Sequence, residues 1–167
     1  SLGISYKDAA IRLEPTLQPR IRAALNRTTG IGNRSEFCLL GGIVWAMSSY
    51  MYPDKVNEDY HYFTDNAVEN FKNLALNNYA DLINPDLGRV ETKDLRDAKK
   101  ATESVQKVFS EKDIIAGSMI FNALVKELNG VSGGKKFIFS RVGETGWLGG
   151  YIIDYLDKKS KNLKDER

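Results

Sequence analysis

One cysteine and one histidine in 167 residues remove much site chemistry at the outset. Cys38 has no partner for an intrachain disulfide; in its apolar run it reads as a packed core thiol, and the chain as a cytoplasmic protein in a reducing compartment. His61 alone cannot supply a multi-histidine zinc set, and no nucleophile stands in a pattern that would complete a triad around it. It reads as a surface or loop-packing side chain. The order Gly-x-x-x-x-Gly-Lys-Ser/Thr is missing, and so is Gly-x-Ser-x-Gly. The longest uncharged run, residues 37–52, falls short of the ~20 apolar residues that span a bilayer, so no membrane span is expected. Nor does the chain open on a basic stretch, an apolar stretch and a small-residue cleavage site. Carboxylate pairs such as Glu58 and Asp59 lie in hydrophilic stretches, without the buried member that acid–base catalysis needs. No catalytic residue, metal or cofactor is assigned.

What is present suffices for a core. Hydrophobic residues make up 42% and charged residues 28%, a balance that folds without a structural metal. The expected architecture is mainly α: a single-domain bundle of about six or seven helices around an apolar central helix. At most one short strand or extended link is expected, near 137–142. The domain is drawn over 1–156, with a polar, lysine-rich tail over 157–167.

Helical periodicity and caps carry this reading. Ser5 caps a short helix to about Leu13; Pro15 and Pro19 interrupt it, and Pro19 opens a second helix to about Asn26. Residues 26–34 form a loop. Ser35 then caps the central helix, residues 36–52, apolar on nearly every side, where Gly41 and Gly42 permit a close crossing. After Pro53 comes an aromatic loop with Tyr60, His61, Tyr62 and Phe63. Val68, Phe71, Ala75, Tyr79 and Leu82 then recur at spacings of three and four, and Leu95, Ala98, Thr102, Val105 and Phe109 give a narrower stripe. Ser110-x-x-Asp113 opens a further helix that ends at Asn129-Gly130. A Gly/Ser/Lys loop and an extended Phe137-Ile138-Phe139 follow. The last helix is expected from about Thr145, with Trp147, Leu148, Tyr151, Ile152, Tyr155 and Leu156 on one face.

Charge is unevenly distributed although the net value is only +2. Between Glu14 and Glu36 there is no acid, while Arg20, Arg22, Arg27 and Arg34 fall there. Between Asp54 and Glu69 five acids face Lys55 alone. The basic block includes Thr28, Thr29 and Gly30, whose amides and hydroxyls can approach an anion, so these seven residues are the expected anion or nucleic-acid site. Arginines 20 and 22 could instead decorate a helix and pair with acids elsewhere in the fold. Asp54, Glu58, Asp59, Tyr60 and Tyr62 are the expected protein interface. Ser132-Gly133-Gly134-Lys135-Lys136 reads as a mobile surface loop, and Glu144 beside Trp147 as the one acid in a pocket-like context.

The run 39–46, Leu-Leu-Gly-Gly-Ile-Val-Trp-Ala, resembles the central apolar helix of helical coat proteins from flexible filamentous plant viruses. The resemblance covers that helix only, and no RNA-binding residue of that family can be matched here, so it assigns no membership. The function expected from the residues is a non-catalytic helical protein that associates with itself or a protein partner, and holds RNA or single-stranded DNA through its arginine-rich N-terminal third. A monomeric adaptor without nucleic acid and an enzyme of an unfamiliar family are the competing readings.

Overall fold

The computed structural model describes residues 3–141. The expected helix from Thr145, with Glu144 and Trp147, and the tail 157–167 lie outside the described residues. The first helix, α1 (Tyr6–Leu25), runs unbroken through both prolines. An interior proline costs about 3 kcal/mol, because it removes an N–H and crowds the preceding turn. Here Pro15 and Pro19 lie four residues apart on an exposed side of a helix with no buried residue, where water reaches the freed carbonyls. Docking holds the helix together. Ala10, Leu17 and Leu25 pack against the core, Ser5 caps Asp8, and Glu14 accepts from Lys72 at 2.6 Å. The expected break is therefore overridden by contacts with the rest of the bundle.

The segment expected as one central helix is two elements, strand β1 (Glu36–Leu39) and helix α2 (Gly42–Met51). Between them Gly41 has φ +116°, a conformation that other residues rarely adopt. The stretch resembling a coat-protein helix therefore begins in a strand. The glycine expectation holds at the next position: a Cβ on Gly42 would lie 2.5 Å from Cζ of Phe109. The expected aromatic loop is strand β2 (Tyr60–Phe63), and Asn78 divides the following periodic stretch into α3 (Asp65–Asn77) and α4 (Tyr79–Ile83). Thr64 caps α3. α5 (Leu95–Val108) and β3 (Lys136–Ser140) follow expectation, and α6 (Glu111–Ser132) opens on the expected reciprocal Ser110–Asp113 capping box but runs past the expected end at Asn129-Gly130.

The molecule is thus mainly helical, with a three-stranded sheet where one strand was expected. β3 is central, parallel to β1 and antiparallel to β2. Alternation sends Phe37, Phe63 and Phe137 inward, with ring centroids 6.3 Å apart between Phe37 and Phe137 and 5.9 Å between Phe63 and Phe137. Beneath them α3 and α6 supply Val68, Phe71, Ile114 and Val125, all fully buried, and α2 adds Met47. The same alternation corrects two expectations. Cys38 is exposed, because its neighbours Phe37 and Leu39 take the inward positions. His61 is buried on a strand, 4.9 Å from the Tyr52 ring and 5.5 Å from that of Phe139. Among the described residues no helix is long and apolar enough to cross a membrane.

Candidate nucleic-acid interface

The four arginines of the basic block do not behave alike. Arg22 reaches from α1 to α6 and grips Glu127 with two nitrogens, at 2.8 and 2.9 Å. That bidentate hydrogen bond holds the Glu127 carboxyl below its ordinary range, the fork geometry for which arginine is suited. Arg22 is therefore engaged in the fold, as the pairing alternative anticipated. Arg20, Arg27 and Arg34 are exposed and have no carboxylate at ion-pair distance among the described residues.

Past the end of α1 the chain turns through residues 26–34. The amides of Arg27 and Thr28 donate to Ala24 and Leu25, and those of Asn33 and Arg34 to Gly30 and Ile31. Gly30 takes φ +82°, which explains the glycine. Four amides are thus used within the turn, and the side chains that the loop offers an anion are Arg27, Arg34 and the exposed hydroxyls of Thr28 and Thr29.

A second basic segment meets this loop. Lys135 lies 101 positions beyond Arg34, yet its ammonium donates to the carbonyl of Arg34, and to that of Gly32 at 3.1 Å. The same ammonium stands 5.7 Å from the Phe37 ring centroid. Lys136 donates its amide to Ser35 and carries its ammonium 6.0 Å from the Tyr62 ring and 3.6 Å from Glu36. The stretch read as a mobile loop is therefore divided: α6 runs through Ser132, and Lys136 belongs to the central strand. Arg34, Lys135 and Lys136 gather at one end of the sheet because β1 and β3 are parallel neighbours in register there.

Beside this end lies a cleft of about 470 Å³, lined by Tyr62, Thr64, Asp65, Asn129, Lys135 and Lys136 among others. Its acid is occupied. One oxygen of Asp65 accepts from the side chain of Asn129 and the other from the amide of Asn66. Elsewhere in the acidic block, Glu58 pairs with Lys55 and Glu69 with Lys126, both at 2.7 Å. Asp54 and Asp59 remain exposed without an ion-pair partner among the described residues. No ion pair among the described residues joins the basic block to the acidic one.

Tyr60 and Tyr62 project from the outer face of β2, 59% and 52% exposed, Tyr60 next to Asp59 and Tyr62 next to Lys136. A hollow of about 560 Å³ runs along them, bordered by Lys55, Glu58, Asp59 and His61. Among the described residues the Nε2 of His61 has no hydrogen-bond partner, and burial pushes its imidazole below the ordinary pKa. Among the described residues no three of His, Cys, Asp and Glu gather as a metal-binding group.

Two features of this surface escaped sequence reasoning. One is that Lys135 and Lys136 share a surface with Arg34. The other is that both tyrosines point out of a sheet, for which the alternation in Tyr-His-Tyr-Phe was the available signal. No family model, no curated protein and no solved structure matches the chain.

Proposed function

We propose that the protein is a non-catalytic nucleic-acid-binding protein that associates with copies of itself and holds the phosphate backbone at the basic end of its sheet. The observation that carries this reading is the joining of two basic segments: Lys135 bonded to the carbonyls of Gly32 and Arg34, with Arg27 and Arg34 free of carboxylate partners among the described residues. Cations clustered on a surface bind phosphates by releasing condensed counterions, with no need for a base-reading helix. Arg20 extends the same charge along α1, while Arg22 contributes through its exposed side without leaving Glu127.

Self-association is supported by the exposed Asp54 and Asp59, which offer the basic end of a second copy a complementary patch. The exposed, unbridged Cys38 is in keeping with a reducing, cytoplasmic setting.

Titrating a labelled oligonucleotide at several salt concentrations tests the reading. The logarithm of the affinity should fall linearly with the logarithm of salt, and replacing Arg27 and Arg34 by Gln should reduce that slope by about 1.4 to 1.8, the share of two phosphate contacts. Binding without salt dependence, or an unchanged slope in the double variant, would refute it. Light scattering at low salt, with Asp54→Asn and Asp59→Asn as the comparison, tests association separately.

A further inference from the structure

The outer face of the sheet carries an unusual set of side chains. In a sheet with one face on the core, residues facing water are ordinarily polar. Here the outward positions hold Tyr60 and Tyr62 on β2, Ile138 on β3 and Cys38 on β1, beside the polar Glu36, Lys136 and Ser140, and Leu40 just past β1 is 46% exposed. Register sets Cys38, Ile138 and Tyr62 in one row across the three strands. Exposed apolar surface of this kind marks a place where something binds.

The geometry points to an unpaired nucleic-acid strand as the occupant: bases stacked on Tyr62 and Tyr60, and phosphates along Arg34, Lys135 and Lys136. This rests on the phosphate reading above and adds what the strand must be. The centroids of the two tyrosine rings are 6.3 Å apart and their planes meet at 88°. Bases stacked on both rings would stand nearly perpendicular, which a splayed single strand can do and a column of stacked base pairs cannot. Base–aromatic stacking also tolerates any sequence, since every base has a π-face.

Charge sets the direction. The ammonium of Lys136 stands over one face of the Tyr62 ring, 6.0 Å from its centroid, so a base stacked on the opposite face has its phosphate next to the cationic end. Asp59, which has no ion-pair partner among the described residues, borders Tyr60 and repels phosphate there, while the neighbouring Glu58 is paired with Lys55. Tyr62 is therefore the principal stacking ring, and the backbone keeps to the Lys136 side.

The lone cysteine provides a footprint, because Cys38 sits in the Tyr62 row. The full chain is titrated with oligouridine and oligothymidine of about ten nucleotides, a typical single-strand site size. A duplex of the same length and inorganic polyphosphate serve as probes of charge alone. Both single strands are expected to bind more tightly than the duplex at equal salt, and to slow alkylation of Cys38 where polyphosphate does not. Tyr62→Ala should weaken single-strand binding about five- to a hundredfold, whereas Tyr62→Phe, which keeps the ring, should leave it unchanged. Circular dichroism establishes that both variants fold, as the half-exposed position predicts.

Equal binding of duplex and single strand, with Cys38 unprotected and Tyr62→Ala indistinguishable from wild type, overturns the stacking platform and leaves the phosphate reading standing. Failure to bind any of the four probes overturns both.

Discussion

The approach of α2 to α6 can be tested at one glycine. Gly117 faces Ile43, and a Cβ built there would lie 2.7 Å from Cδ1, 2.9 Å from Cγ1 and 3.3 Å from Cβ of that side chain. The last of these matters most, since a rotamer change moves Cδ1 but leaves Cβ where the backbone of α2 holds it. Gly117→Ala thus has two opposed effects. Alanine favours the helix over glycine by about 0.8–1.0 kcal/mol, and overpacking costs about 1–3 kcal/mol. The net expectation is a destabilisation of about 0–2 kcal/mol, against the usual gain for this substitution in a helix. Removing the obstacle should reverse the sign. In an Ile43→Ala background only the 3.3 Å contact remains, and Gly117→Ala should then be neutral or stabilising by up to about 1 kcal/mol. The coupling between the sites, about 1–3 kcal/mol, is read from a double-mutant cycle of urea melts. The same stabilising effect of Gly117→Ala in both backgrounds would show that the two helices are not in close contact.

Phe71→Ala removes a fully buried ring from α3 and should cost about 3–5 kcal/mol, whereas Trp45→Ala, on a partly exposed ring against Phe109, should cost less; denaturant midpoints of the two variants check the order. Ser110→Ala deletes one half of the α6 capping box and should lower stability by about 1 kcal/mol, seen as a fall of about 2–4 °C in Tm. Because burial lowers the folded pKa of His61, with Lys55 and Arg141 acting in the same direction and Glu58 and Asp54 against it, the unfolded chain binds its proton first as pH falls. Stability from this residue is present above the unfolded pKa of about 6.5 and declines below it. Urea melts across that range should show the decline, and His61→Phe should remove its share of the slope.

The helices were legible wherever their signal is local. The threes and fours of Val68, Phe71 and Ala75, and the Ser110–Asp113 box, involve residues within one or two turns of one another, so they survive outside the fold. The charge blocks were equally plain, as was the short apolar run Phe137-Ile138-Phe139. Four-residue strands are another matter. Phe37 and Phe63 become strand residues because each finds a partner at Phe137, a hundred positions away in one case, and a window of four residues cannot separate a strand from a helix by period. That pairing also turns Cys38 and Tyr62 outward and His61 inward. The continuity of α1 has the same origin, since the local penalty at Pro15 and Pro19 is outweighed by apolar docking and by the bonds of Glu14 and Arg22 to other helices. Neither basic segment names the other in sequence; Arg34 and Lys135 meet because β1 and β3 hydrogen-bond in parallel, and pairing at that separation is decided by the free energy of the whole core.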